Sequence, residues 1–340
     1  MHMADALISP AVGGTMTAVS AGLAAYSIRK VQRDLDEHKI PLMGVMGAFV
    51  FAAQMINFTI PATGSSGHLG GGMLLAILLG PYAGFLTMAS ILLIQALFFG
   101  DGGLLAYGCN VFNLGFFTCF IAYPLIYKWI TRKGLTAGRI FRASLVSAIL
   151  GLQLGAFGVV LETWFSGKTE LPFDTFVLLM QPIHLAIGIV EGLVTAAVAT
   201  FVWKARPEIL ERAAAGKALG GLSINKVLAG ILAAAIVIGG FVSWFASSNP
   251  DGLEWSLERT AGTAELEASG GVYDVLANVQ SKTAFLPDYS FKSAEEGEAG
   301  SYAGTSVSGI AGGALTLVLA GLTGLMIIAY KKKKTKTARQ

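Results

Sequence analysis

Residues 64–81 read GSSGHLGGGMLLAILLGP, and their apolar core at residues 69–80 is too short to cross a lipid bilayer. A membrane-spanning helix needs about 20 apolar residues. Glycine-rich turns flank this core, and non-helical backbone at membrane depth is tolerated only inside protein or beside water. The pattern therefore predicts a short segment that packs inside a bundle of longer helices and does not face lipid.

Longer apolar segments surround this short one along the chain. Hydrophobic residues make up 54% of the 340 residues and charged residues 13%, about half the charged share of a typical soluble domain. This composition predicts an all-α, polytopic transmembrane helix bundle. The predicted spans lie near residues 8–28, 41–58, 69–80, 82–99, 104–127, 143–162, 176–203, 226–246 and 307–330.

The basic residues indicate how the chain is oriented in the membrane. Twenty of the 24 Lys and Arg residues fall in segments 29–39, 128–142, 204–226 and 331–340. Because cytoplasmic loops carry an excess of Lys and Arg, this distribution predicts an outer N-terminus and a cytoplasmic C-terminus. We therefore expect a multi-pass protein of the cell membrane.

The sequence divides into a larger and a smaller membrane region. Residues 1–203 predict a seven-span unit with short loops, and residues 204–225 predict a basic linker rich in Ala and Gly. Residues 226–340 contain two further spans on either side of an outer stretch, 247–306, which has ten acidic and three basic residues. This outer stretch is either a solvated, partly disordered loop or a surface that attracts cations.

The first two residues, Met1 and His2, offer a set of nitrogen ligands. The α-amino group, the amide nitrogen of His2 and its Nδ1 can close fused chelate rings around one ion in a plane. One further imidazole would complete a four-nitrogen square, which is the geometry of Ni(II) and Cu(II) sites. The amine must lose its proton, so binding would weaken at acid pH. On spacing alone, a Met-His terminus without function remains the more frequent explanation.

His68 is the candidate for the fourth nitrogen. It lies in the glycine-rich loop GSSGHLGGG, where the backbone can approach other groups closely. This loop and the N-terminus are both predicted on the outer side, so the two can converge. The alternative is a loop histidine that only forms a hydrogen bond. His38 lies in a basic inner segment, and we expect it to be solvated.

His184 and Glu191 are separated by seven residues in one predicted span, so they share a helical face. Ionisable groups inside a span are functional hypotheses by default. The two could form a buried pair, support a metal ligand or lie on the path of the ion, and a supporting role is favoured over direct ligation. The candidates for such supporting or path roles are Asn57, Ser66, His184 and Glu191.

Several enzyme signatures are absent from the sequence. SGKT at residues 166–169 resembles the end of a nucleotide-binding loop, but that loop requires Gly at the position of Glu162. The motifs HExxH and GxSxG are also missing. We therefore expect a protein that is not an enzyme, and any energy from ATP hydrolysis would come from a separate subunit.

Five motifs together resemble a known family. MHMADALIS, GSSGHLGGGMLLAILLGP, GDGGLLAYGCNVFNLG and PIHLAIGIVEGLVT are similar to the substrate-binding (S) component of nickel/cobalt energy-coupling factor (ECF) transporters, the NikM/CbiM type. PDGLEWSLE at residues 250–258 is similar to the signature of the small companion subunit, NikN/CbiN. The chain thus resembles a fusion of the two, the NikMN arrangement.

The resemblance implies a transported substrate, Ni²⁺, and a metal site formed by Met1, His2 and His68. It also implies two kinds of partner, an ECF transmembrane coupling subunit and ABC ATPase subunits. The chain itself would lie in the lipid bilayer, and we expect no nucleic-acid partner. Small residues on the first span, Ala18, Gly22 and Ala25, are either a contact face for the coupling subunit or ordinary helix packing.

Three further functions remain open on the sequence. The first is uptake of Co²⁺, as in CbiM-type components. The second is a passive metal channel without ATPase partners. The third is a membrane metallohydrolase, for which Glu191 is the candidate base within a span.

Overall fold

A computed structural model of the chain describes residues 2–34, 37, 39–168, 171–264, 266–292 and 299–337. The helices are α1 (Pro10–Asp34), α2 (Lys39–Gln54), α3 (Gly72–Leu79), α4 (Pro81–Ile94), α5 (Tyr107–Val111), α6 (Lys128–Thr131), α7 (Ala137–Ser166), α8 (Phe173–Ala205), α9 (Pro207–Ala214), α10 (Asn225–Gly240), α11 (Gly252–Ala261), α12 (Val272–Thr283) and α13 (Ala299–Thr337). Wider π-helical turns follow α4 and α5 at Gln95–Phe99 and Phe112–Tyr127. Short 3-10 turns occur at Asp5–Leu7, Val242–Phe245 and Pro287–Tyr289.

The bundle has the transmembrane character that the sequence predicts. Within the described ranges, six helical segments are long and apolar enough to cross a membrane: Pro10–Gln32, Pro81–Phe99, Tyr107–Thr131, Ala137–Ser166, Phe173–Ala205 and Tyr302–Lys331. Two further apolar helices, α2 and α10, are shorter, with 16 residues each. Together with α3 they correspond to the predicted spans, and the all-α membrane fold is confirmed.

Helix α3 lies at the centre of the bundle, as the short apolar core at residues 69–80 predicts. All eight of its residues are buried. At about 1.5 Å per residue the helix is only about 12 Å long, so it cannot span a bilayer. Gly71 and Gly80 bound it with φ angles of 77° and 82°, a left-handed backbone that favours glycine. The helix contacts its neighbours α2, α4, α7, α8 and α9.

Helices α7 and α8 form a long, tightly packed pair. A Cβ atom added to Gly192 would lie 2.8 Å from the Cα of Leu145, and one added to Gly188 would lie 3.0 Å from the Cα of Ile149. Small residues allow this close approach of backbones, which is a common way for helices to pack in lipid. The pair provides a rigid wall on which polar groups can be held at fixed positions.

The smaller membrane region packs onto the larger one. Helices α10 and α13 both contact α2, and they cross each other where Gly239 approaches Gly309. The predicted linker at residues 204–225 contains the helix α9, whose residues Ile209 and Leu210 are buried. The α9 part of the linker therefore packs against the bundle. The larger and the smaller region are in direct contact through α2, α10 and α13.

The outer stretch is ordered where the structure describes it. It contains α11, α12 and the turn at Pro287–Tyr289. The helix α11 begins at the PDGLE motif, and its residues Leu253 and Leu257 are buried. The described residues of this stretch between 247 and 292 therefore include two helices that pack by buried side chains.

A short antiparallel hairpin links α2 to α3 and contacts the outer stretch. It pairs β1 (Phe58–Ile60) with β2 (Ser65–Gly67), with Phe58 opposite Gly67. All three residues of β2 are buried. Because β2 ends directly before His68, the hairpin sets where that histidine enters the bundle.

Candidate metal centre

The N-terminal segment lies inside the protein from its first described residues. Met3 is fully buried. Its N–H donates to the Oδ1 of Asn110 (2.8 Å), and its carbonyl accepts from the N–H of Gly103 (2.9 Å) and the Nδ2 of Asn110 (3.2 Å). These bonds hold the backbone beside His2 in place. Met1 lies outside the described residues, as does His38.

Asp5 provides a second anchor for the N-terminal segment. Its Oδ1 accepts hydrogen bonds from the N–H groups of Leu105 (2.8 Å) and Ala106 (3.0 Å), just before α5. Burial raises the pKa of Asp5, and these backbone hydrogen bonds oppose that rise. The segment is thus tied to the loop before α5 at two points, Met3 and Asp5.

His2 lies against a carboxylate. The Nδ1 of His2 is 3.0 Å from the Oδ1 of Asp101, and the hydroxyl of Tyr289 donates to the other oxygen of Asp101. Burial raises the pKa of Asp101, but the charge of His2 and its hydrogen bond outweigh this, so the pKa lies below its ordinary value. Asp101 is therefore ionised at neutral pH. The Nε2 of His2 is buried and has no hydrogen-bond partner among the residues that the structure describes.

His68 lies directly beside His2. The two imidazole rings are parallel within 4°, and their centroids are 5.0 Å apart. The Nδ1 of His68 lies 3.1 Å from the carbonyl oxygen of Leu69, which favours a proton on Nδ1 and a lone pair on Nε2. Burial lowers the pKa of His68, which favours the neutral ring that binds metal ions. The structure therefore brings together two of the three residues that the sequence nominated as ligands.

Glu191 holds the loop that carries His68. Its two carboxylate oxygens accept the N–H groups of Gly70 (2.9 Å) and Gly71 (3.1 Å). Gln54 donates to the carbonyl of Gly70 from the other side (2.8 Å). A loop inside a helical bundle needs such partners because its backbone groups are buried away from bulk water. Glu191 thus supports the position of His68 without contacting its ring.

His184 lies next to the site but does not pair with Glu191. Its Nδ1 is 2.8 Å from the carbonyl oxygen of Met180, one turn earlier in α8. Its Nε2 is buried, and no described group lies within hydrogen-bond distance of it. A cavity of about 10 Å³, with space for about one water, is lined by His184, His68 and Asp251. The buried His184–Glu191 pair that the sequence allowed is not formed.

Ser66 and Asn57 contact the outer stretch. The N–H of Ser66 donates to the carbonyl of Pro250 and its hydroxyl to that of Asn249, both at 2.8 Å. The carbonyl of Asn57 accepts the N–H of Ser247 (2.7 Å). Both residues therefore position the segment before the PDGLE motif, and neither forms a described hydrogen bond to an imidazole.

The PDGLE motif brings a second carboxylate to the site. Asp251 caps α11, because its Oδ1 accepts the N–H groups of Leu253 (2.7 Å) and Glu254 (3.0 Å). Glu254 accepts the N–H of Asp251 in return (2.8 Å), which completes a capping box. The other oxygen of Asp251 lies 3.7 Å from the Nε2 of His68. The cap thus fixes a negative charge beside the histidine.

The glycine of the motif is required by packing. A Cβ atom at Gly252 would lie 2.5 Å from Ile183 and 3.2 Å from the ring of His184.

Asp101 and Asp251 both lie in motifs that carry the family resemblance, yet the sequence did not nominate either as a site residue. The available signals were an acid in a glycine-rich loop for Asp101 and the capping box for Asp251.

Two known families match the chain. The family described as "Cobalt uptake substrate-specific transmembrane region" matches residues 2–209, and the PDGLE domain family matches residues 225–329. The chain belongs to this cobalt-uptake family. It is a multi-pass membrane component of nickel or cobalt transport and not an enzyme, and the resemblance based on the five motifs is confirmed.

Relatives match either nearly the whole chain or the greater part of it. The putative fused nickel transport protein NikMN of Archaeoglobus fulgidus is 32% identical over 319 residues, which is 94% of this chain and 96% of the relative. The cobalt transport protein CbiM of Sorangium cellulosum is 29% identical over 223 residues, which is 62% of this chain and 95% of the relative. A crystal structure of a truncated transition metal transporter covers 60% of this chain and 99% of its own, with 29% identity and a TM-score of 0.54.

We predict that Glu191→Gln loosens the loop that carries His68. The amide of Gln can accept from only one of the two N–H groups, and its NH₂ group then faces the other. An unmet buried hydrogen bond costs about 1–3 kcal/mol, so the amides of Gly70 and Gly71 should exchange about tenfold faster or more. Hydrogen-exchange mass spectrometry of the purified chain measures this.

The matched control is Glu258→Gln, which makes the same change on the exposed side of α11. It should leave exchange in the loop unchanged. Equal protection of Gly70 and Gly71 in the Glu191 variant and the control would contradict the assigned role.

Proposed function

We propose that the chain is the substrate-binding component of an ECF-type importer that takes up Ni²⁺. The observation that carries this proposal is the parallel pair of buried imidazoles, His2 and His68. They come from distant parts of the chain, and each is held by backbone contacts that a merely structural histidine would not need. Convergent neutral imidazoles are typical ligands of divalent transition metals.

The proposed ligands are four nitrogen atoms in one plane. They are the amine of Met1, the amide and Nδ1 nitrogens of His2, and the Nε2 of His68. Because the Nδ1 of His2 faces Asp101 in the structure, ligation requires the ring to turn about its Cβ–Cγ bond. The turn brings the protonated Nε2 to the side of Asp101. A carboxylate that accepts the second ring N–H is the usual support for a metal-bound histidine.

The donor set favours nickel. Four nitrogens in a square suit Ni(II), and Cu(II) would bind such a set more tightly still, so discrimination against copper would depend on its availability. Co²⁺ is the second candidate substrate, and the observation in its favour is the match of residues 2–209 to a cobalt-uptake family.

A membrane metallohydrolase and a passive metal channel have less support. A metallohydrolase would need Glu191 as its base, but this carboxylate already accepts two backbone N–H groups. A passive channel would not need the outer stretch that covers the site from the smaller region.

The proposal also covers the orientation of the chain, its functional units and its partners, and the partners rest on the family resemblance. The N-terminus lies outside and the C-terminus in the cytoplasm. The functional units are the S component at 1–203, the linker at 204–225 and the companion region at 226–340. The partners are the ECF coupling subunit and ABC ATPase subunits. Helix α1 is the least buried of the six spanning segments, and its exposed residues Ala18, Gly22 and Ala25 are the proposed contact face for the coupling subunit.

The companion region would act at the metal site itself. Asp251 would hold a negative charge beside His68, and the hydrogen bonds of Ser66 to Pro250 and Asn249 would keep it there. Tyr289, from the same region, supports Asp101 beside His2. We infer that the outer stretch closes over the bound ion and favours its retention.

His2→Ala and His68→Ala should each weaken Ni²⁺ binding by more than about 100-fold, because each removes at least one of four ligands. Isothermal titration calorimetry of the purified chain with its native terminus measures the affinity. His38→Ala is the control and should bind like the wild type. Retained tight binding in both site variants would end the proposal.

Adding one residue before Met1 should abolish the planar site. The amine would move away from the amide and imidazole of His2, so the fused chelate rings could not close. Visible absorption and magnetic measurements identify planar, diamagnetic Ni(II). A one-residue extension at the C-terminus is the control. A planar Ni(II) spectrum in the N-terminally extended chain would show that the amine is not a ligand.

Asp251→Asn should speed the release of bound Ni²⁺ by about tenfold, a typical effect for a group that supports a ligand. Asn is also a good N-cap, so α11 should keep its start while the charge is lost. Release is measured by transfer of the ion to a chelator. Asp274→Asn, at an exposed position in the same outer stretch, is the matched control, and equal release rates in the two variants would refute the role of Asp251.

A further inference from the structure

A second cavity lies at the other end of the bundle. Helix α1 begins near the histidine site, and Val31 in its last turn lines this cavity. The length of α1 therefore separates the two sites. The cavity has a volume of about 320 Å³ and lies between the end of α1, the start of α2, the α3–α4 turn and the end of α9. Nothing in the metal site or in the proposed transport function uses it.

Two lysines line the cavity. Lys39 is the first residue of α2 and is 5% exposed, whereas Lys128 begins α6 and is exposed at the mouth. None of the lining residues, all of them in the described part of the chain, is acidic. Lysine ammonium groups at such positions bind phosphate groups as point charges.

The start of α4 adds to this charge. This 14-residue helix begins at Pro81, and its N-cap, Gly80, provides no side-chain cap. Gly80, Pro81 and Ala83 line the cavity. The positive end of the helix dipole and the first-turn N–H groups favour an anion here.

A buried hydroxyl is available on the neighbouring wall. Tyr123 lines the cavity and is 2% exposed, and its hydroxyl has no hydrogen-bond partner within the described ranges. An unmet buried hydroxyl is costly, and a phosphate oxygen is a suitable acceptor for it. The opposite wall is the end of α9, where the carbonyl of Ala213 already accepts the N–H of Gly216 (3.2 Å).

We propose that this cavity binds a phosphate group, with Lys39, Lys128 and the start of α4 as the anion-binding elements. Two sources share this chemistry, the headgroup of an anionic phospholipid and a free phosphate ion. The surroundings favour the lipid, because Leu125 and Trp129 are 65% and 60% exposed beside Lys128. They could contact acyl chains. Basic pockets between membrane helices commonly bind lipid headgroups.

The test uses the full-length chain in detergent micelles and measures bound lipid by native mass spectrometry. Phosphatidylglycerol should bind the wild type with a clear preference over phosphatidylcholine. Lys128→Gln and Lys39→Gln should each weaken this binding by about tenfold, the effect of losing one charge-assisted hydrogen bond. Tyr123→Phe should weaken it by a smaller factor.

Lys133→Gln is the matched control, since Lys133 is an exposed lysine at the same end of the bundle that does not line the cavity. Lys39 is buried, so its variant could fail to fold. The exposed Lys128 then decides the test, because its substitution leaves the core intact. Size-exclusion elution confirms that each variant is folded.

Each outcome has a stated meaning. In one outcome, millimolar inorganic phosphate displaces the lipid from the wild type and binds more weakly to the Lys39 and Lys128 variants. That result would support the phosphate site and assign it to a soluble anion. Equal binding of phosphatidylglycerol by the Lys128 variant and the Lys133 control would overturn the proposal. Lysine variants that bind lipid normally but lose a partner subunit would also overturn it, in favour of a protein contact.

Discussion

The site depends on two stretches of non-helical backbone that meet inside a helical membrane protein. Such backbone is stable at this depth only when its N–H and carbonyl groups find partners in the protein. Asn110 satisfies both groups of Met3, and Glu191 accepts two N–H groups from the loop after His68. The side chains that solve this problem also fix the two imidazoles side by side. The same contacts therefore satisfy the buried backbone groups and hold the two imidazoles in position.

The charges around the imidazoles are arranged for a cation. Each imidazole faces its own carboxylate: Asp101 lies against His2, and Asp251 lies near His68. Each carboxylate is itself held, Asp101 by Tyr289 and Asp251 by its role as a helix cap. A buried carboxylate without such partners would be costly. Because Tyr289 and Asp251 come from the smaller region, the two regions of the chain build one site, which gives a physical reason for their presence in one polypeptide.

The two ends of the bundle have opposite character. One end combines carboxylates with imidazoles, whereas the other end presents lysines and the positive start of α4 around a cavity. This polarity follows the distribution of basic residues along the sequence. It is consistent with the proposed cation site at one end and the proposed phosphate site at the other.

The sequence by itself determined the membrane class, the approximate spans, the buried position of α3 and the family, because hydropathy and glycine placement act locally. It also nominated His2 and His68 as partners, since both lie on the predicted outer side. It left open how Glu191 and His184 are used, and it gave no sign that Asp101 and Asp251 face the imidazoles. Those contacts join residues far apart in the chain, and only the packing of α8, the loop before α5 and the outer stretch decides which groups meet.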